Sequence, residues 1–152
     1  MSGGFGYYGK ISGLGDFVTS GLTGEVVAPL DAWLQAMIAE TRERLGSRWL
    51  GAYLSAPIWR FAMAPGLCGR RGLTGLMMPS VDRVGRHFPL VIAAETEGDA
   101  PLRALAALEP LAERLEAAAL ATLEDGTGRA ELSAALAGIA PPRAGHTPGT
   151  AA

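Results

Sequence analysis

The chain has 152 residues, a formal net charge of −2 and a pI near 5.7, with 49% hydrophobic and 18% charged residues. That is globular composition at the length of one domain, and it lacks the basic excess that draws nucleic acid or an anionic membrane. The single cysteine, Cys68, excludes an internal disulfide and a thiolate zinc site, and no apolar run reaches the length of a membrane helix.

The first ten residues, MSGGFGYYGK, carry no basic leader with an apolar stretch behind it, and Ser2 excludes the myristoylation pattern. A soluble, cytoplasmic protein without membrane insertion is expected. Residues 6–11 read as a first strand, followed by the glycine-rich turn SGLGD over 12–16. Leu30, Trp33, Leu34, Met37 and Ile38 then recur at the spacing of one helical face. Pro29 suits the first turn of that helix, Glu40 and Arg44 form an i,i+4 pair, and Gly46 is its stop. Ser47 is placed to cap a short second helix carrying Trp49, Leu50 and Tyr53, which Pro57 ends.

Residues 58–64 alternate, with Trp59, Phe61 and Met63 on one side and Ile58, Arg60 and Ala62 on the other. Two more strands are expected, over about 73–78 and 88–95, and the short connections favour antiparallel neighbours. Beyond Gly98 the composition shifts to Ala, Leu, Glu and Arg. Asp99 and Pro101 mark a helix start, Leu102, Leu105, Leu108, Leu111 and Leu115 form its stripe, and Pro110 kinks or divides it. A final helix is expected over about 129–139. The expected architecture is α/β, a three-layer sandwich with a mostly antiparallel or mixed sheet of four to five strands flanked by helices. Residues 1–140 make one domain, and 141–152 lack the apolar content to pack and read as a disordered tail.

Several motifs invite a chemical reading. Gly4, Gly6 and Gly9 satisfy G-x-G-x-x-G, and residues 4–10 satisfy G-x-x-x-x-G-K, both phosphate-cradling patterns. No strand precedes them, Ile11 stands where a magnesium-binding hydroxyl belongs, and strand rather than helix follows, so nucleotide binding is rejected. Cys68 lies beside Arg70 and Arg71, but no nucleophile signature surrounds it. His87 and His146 are the only histidines and no H-x-x-x-H or C-x-x-C spacing exists, so neither a metal nor a cofactor is expected. Asp16, Asp31 and Asp82 show no spacing that argues for paired-carboxylate chemistry. Trp33, Trp49, Trp59, Phe61 and Phe88 read as core aromatics.

The stretch MPSVDRVGRHFPLVI, residues 78–92, is the most informative: Ser80, Asp82, Arg83 and Arg86 form a polar knot between apolar strands. Two readings fit it. Asp82 pairs an arginine and pins the loop, or the guanidinium forks of Arg60, Arg83 and Arg86 offer bidentate sites to a partner's carboxylates or phosphates.

Three blocks taken together are specific: GYYGKISGLGDFV (6–18), WLGAYLSAPIWRFAMAPGLCG (49–69) and MPSVDRVGRHFPL (78–90). In order and spacing they resemble the TagF/ImpM family of type VI secretion accessory proteins, whose opening runs G-(aromatic)-G-K-L-P-x-x-G-D-F-V. Ser12-Gly13 replaces the usual Pro-Ser, and His87 replaces a frequent Tyr. The resemblance implies a non-enzymatic regulator that restrains type VI secretion after translation, tied to a forkhead-associated scaffold protein. It implies no catalytic residues and a three-layer α/β fold. The candidate partner-binding residues are Asp16, Arg60, Ser80, Asp82, Arg83 and Arg86, with the oligomeric state open. The competing readings are a small-ligand sensor and a hydrolase or transferase using a polar cleft near Asp16, Ser80 and Asp82.

Overall fold

In the computed structural model, which describes residues 3–98 and 100–142, five strands form one antiparallel sheet in the order β2-β1-β5-β4-β3. The strands are β1 (Gly6–Gly9), β2 (Val18–Ser20), β3 (Trp59–Met63), β4 (Gly72–Met78) and β5 (Leu90–Thr96). β3, β4 and β5 form a meander, and β1 pairs the far side of β5, aligning Tyr7 with Ile92 and Tyr8 with Val91. The α/β expectation is met, with every pairing antiparallel. β2 is not among the expected strands; three residues are too few to show an alternating pattern.

α1 (Gly24–Leu45) lies on one face of the sheet. Val26, Leu30 and Leu34, spaced by four, are fully buried with Tyr8, Leu73, Val91 and Ala93 from three strands. The helix thus begins a turn and a half earlier than Pro29 suggests. The Thr23 carbonyl accepts from the N–H groups of Val26 and Val27, and Pro29 is accommodated inside the helix. The Glu40–Arg44 pair forms at 2.8 Å, and Gly46 stops the helix at φ 53°. Ser47 caps nothing. It sits in a 3-10 turn, and α2 (Trp49–Ser55) starts after Arg48.

The opposite face is covered by α3 (Pro101–Leu108), α4 (Ala112–Ala121) and α5 (Arg129–Ala137). A 3-10 turn containing Pro110 separates α3 from α4, as that proline requires. Leu108, Leu115, Leu132 and Leu136 pack on Tyr7, Leu76, Leu90 and Ile92. Leu102 is 82% exposed and does not join its expected stripe. Asp99 and positions 143–152 of the expected tail, His146 among them, lie outside the described residues.

The β3 alternation holds: Phe61 and Met63 turn to the α1 face, while Ile58 and Arg60 turn to the α3–α4 face. Two expected core aromatics do not hold. Trp33 is 47% and Trp59 56% exposed, because neither α1 nor α2 extends over β3. Trp49 and Phe88 are buried, and Phe61 is half-buried.

The glycine-rich start is an inner strand, not a phosphate loop. Gly9 adopts φ 140°, and a Cβ there would strike the Pro89 carbonyl of the neighbouring chain segment. Gly9→Ala is therefore expected to destabilise by at least about 1–3 kcal/mol in urea unfolding. Gly51→Ala, in open space inside α2, should stabilise by about 0.5–1 kcal/mol. Equal effects at the two positions would contradict this account.

Candidate functional site

The loop joining β4 to β5 is built around one buried carboxylate. Asp82 has no side-chain exposure and accepts four hydrogen bonds. Its Oδ1 takes the backbone N–H groups of Val84 and Arg86 at 3.0 and 2.9 Å. Its Oδ2 takes the Lys10 ammonium at 3.0 Å and Arg86 Nε at 2.7 Å. The turn closes on itself as Asp82 N–H donates to the Arg86 carbonyl and Gly85 adopts φ 90°. Below it, Val81 bridges His87, and Phe88 N–H donates to the Ser80 carbonyl.

Burial alone would raise the Asp82 pKa. The Arg86 N–H, the Lys10 ammonium and the Arg86 guanidinium outweigh it and hold the carboxyl well below the usual carboxylate range. Lys10 is itself 6% exposed at the end of β1, with its Nζ 4.9 Å from the Phe17 ring centroid. Phe17 stacks on Tyr8 and meets Phe88 edge-on, so the 12–17 turn, β1 and the loop share one aromatic seam. Two further bonds clamp the loop to that turn: Arg83 N–H to the Leu14 carbonyl at 2.8 Å, and Arg86 Nη2 to the Gly15 carbonyl at 2.5 Å.

A third clamp comes from α2. The Tyr53 hydroxyl donates to the Ser80 carbonyl and accepts from the Ser80 N–H, both at 2.8 Å. Burial pushes the Tyr53 phenol up to about 12. Trp49 and Tyr53 stack, and His87 meets both edge-on.

The expected site residues therefore divide. Arg83, Val84 and Arg86 are presented to solvent, with Asp16 and Phe17 exposed on the adjoining turn. Arg83 makes no ion pair with any described residue. Ser80 and Asp82 are buried and reach no surface directly; the Ser80 hydroxyl has no hydrogen-bond partner among the described residues. Arg60 stands apart from the knot, paired with Glu109 and with Glu116 on the α3–α4 face. The three aspartates do not converge. Asp16 accepts from the N–H of Phe17, and Asp31 accepts from the Tyr8 hydroxyl. Cys68 is buried in the α1-side core, which pushes its thiol pKa up. Among the described residues, no three His, Cys, Asp or Glu gather into a metal-holding group, and no helix is long and apolar enough to cross a membrane.

Sequence reasoning missed Lys10, which it met only inside a rejected phosphate motif. A signal existed: Lys10 is the single lysine in a chain whose other twelve basic residues are all arginine. A compact ammonium fits a buried point contact that a planar guanidinium does not.

Residues 6–139 match the family described as the TagF N-terminal domain, type VI secretion system-associated. The chain belongs to that family. The crystal structure of PA0076 from Pseudomonas aeruginosa PAO1 superposes with a TM-score of 0.76 at 40% identity, covering 90% of this chain and 64% of that one. The chain thus spans under two-thirds of the PA0076 length. No curated protein matches it. The TagF assignment places the chain among proteins associated with type VI secretion. Within this TagF domain, the Lys10–Asp82–Arg86 constellation joins the first and third of the blocks that carried the resemblance.

Removing either partner of the buried pair leaves the other charge uncompensated. Asp82→Asn and Lys10→Met are each expected to cost about 3–5 kcal/mol, and the double variant less than their sum, in urea unfolding at neutral pH. Because folding depresses the Asp82 pKa, its contribution is complete above the ordinary carboxylate range near about 4 and is lost as pH falls below it. Stability followed from pH 7 downward should drop more steeply below that point in the wild type than in Asp82→Asn.

Proposed function

We propose that this chain is a non-enzymatic regulator of type VI secretion that acts in the cytoplasm by binding a scaffold component, a forkhead-associated protein. Residues 1–140 serve as one regulatory domain. The observation that carries the reading is the clamped loop: three separate segments hold it, and what it offers outward is an Arg83 guanidinium with no ion pair among the described residues, beside the apolar Val84 side chain, 66% exposed. A pre-organised cation next to an apolar contact suits recognition, since little ordering is lost on binding.

The same geometry argues against catalysis at this cleft. A carboxylate held far below its usual range and fully occupied by donors is a poor general base. Action would then be stoichiometric, with Arg83, Arg86 and Asp16 orienting the partner and Val84 and Phe17 supplying apolar contact. Arg86 also ties Asp82 to the loop, so its reversal would mix binding with folding.

The cleaner test uses Arg83→Glu and Val84→Asp, whose side chains are exposed and which join the buried network only through their backbone N–H groups. Each variant is co-purified with the forkhead-associated protein and titrated by calorimetry. Each should keep wild-type melting and weaken the complex at least about tenfold. Folded variants that bind as tightly as wild type would remove this surface from the proposal. A wild type that forms no complex would remove the partner.

A further inference from the structure

The sheet ends differently on its two sides. β2 is three residues long, and brevity protects an edge strand from unwanted pairing. β3, five residues at the other end, has no strand beyond it among the described residues. It also lacks the usual protections. No proline, lysine or bulge falls within Trp59–Met63, and its register with β4 runs unbroken from Trp59↔Met77 to Met63↔Leu73. Its one charge, Arg60, is neutralised by Glu109 and Glu116. Pro57 and Pro65 bracket the strand and confine any further pairing to the stretch between them.

The groups this edge presents follow from its inner side. The Phe61 carbonyl accepts from the Thr74 hydroxyl of β4 at 3.0 Å, and a Cβ on Gly72 of β4 would lie 3.1 Å from the Met63 carbonyl oxygen. Phe61 and Met63 therefore turn their peptide groups inward, to β4. Peptide groups alternate in direction along a strand, so Arg60 and Ala62 turn their N–H and C=O groups outward, to the open edge.

Those outward groups complement themselves. A two-fold axis at Phe61 sets Arg60 opposite Ala62 of a second copy, a pair that exchanges both of its hydrogen bonds on each side of the axis. The side chains agree. On the α1 face, Trp59 comes to lie beside Met63 of the second copy, and Phe61 beside its own counterpart. Trp59 is 56% exposed and the other two are half-buried, so all three have area to lose. On the other face the long Arg60 side chain meets only the methyl group of Ala62. An axis at Arg60 would set two guanidiniums directly opposite, and one at Ala62 would set Trp59 against Pro65, outside the strand.

We propose that β3 is a self-pairing edge, through which two copies of this chain join antiparallel about Phe61 and merge their five-stranded sheets into one. A strand of another protein could take the same hydrogen bonds. A second copy is singled out because the edge's hydrogen bonds, its apolar residues and its single neutralised charge are all matched by the same strand reversed. The pairing of five residues buries less than the about 1,200–2,000 Å² of a standard interface, so the dimer is weak and concentration-dependent. The inference is independent of the loop surface around Arg83.

The test uses the full chain. Sedimentation equilibrium over about 5–500 µM should show monomer passing to dimer, with a Kd of about 10–500 µM. Ala62→Pro removes an outward N–H that β4 does not use, so melting should stay near wild type while the Kd rises at least about tenfold. Oxidative cross-linking reads the register. Phe61→Cys brings two thiols together across the axis, with Cα atoms about 4.5 Å apart, and should give a disulfide-linked dimer. Trp59→Cys, displaced along the strand from its own counterpart, should not. Wild type, whose Cys68 is buried, supplies the background. A chain that stays monomeric throughout, a dimer indifferent to a folded Ala62→Pro, or equal cross-linking at the two cysteine positions would overturn the proposal. If Ala62→Pro unfolds, the cysteine pair decides alone.

Discussion

One buried ion pair organises the polar end of this domain. Lys10 and Asp82 are 72 residues apart in sequence, yet their side chains meet at 3.0 Å with almost no solvent exposure. A buried pair of this kind adds little net stability over an apolar substitute, because desolvating both charges offsets most of their attraction. What it fixes is geometry. An ammonium at the end of β1 and a carboxylate at the root of the β4–β5 loop satisfy each other only when the first strand is in register beside β5. The remaining three acceptor contacts of Asp82 then shape the loop from within. The charged knot is therefore structural in its interior and available at its rim.

Those two readings were posed as alternatives from the sequence, and the chain divides them between neighbouring residues. Asp82 and Arg83 are adjacent, one sealed and one exposed. Sequence pattern reports which residue types cluster. It does not report which way successive side chains of a tight turn point, because a turn has no fixed period. Strand and helix faces do have one, so the alternation at β3, the break at Pro110 and the stop at Gly46 were all readable in advance. Lys10 was hidden for a different reason: its partner lies 72 residues away in sequence, in the loop entering the neighbouring strand β5, and no local spacing encodes a contact of that range.

The misplacement of Trp33 and Trp59 exposes a limit of periodicity itself. A helical or alternating pattern identifies the face that turns toward the sheet or the helix layer. Whether that face is then covered depends on how many elements share the layer, which is a property of the whole fold. Both tryptophans occupy the inward sides of their elements by pattern, and both remain half-exposed because α1 has no neighbouring helix over β3. The α3–α4 side shows the contrast: Ile58, the residue just before the same strand, is half-covered against the larger core.

The loop is also tied to α2. The Tyr53 hydroxyl holds both backbone polar groups of Ser80, which fastens α2 to the base of the loop. Pro79 and Pro89, the residues flanking that loop, line the apolar cavity beside α2, and neither has an N–H for a competing ladder. A loop tied at its base to α2, at its tip to the 12–17 turn and through Asp82 to the end of β1 is fixed from three sides, so the exposed Arg83 and Val84 side chains are carried on a frame set by contacts far apart in sequence.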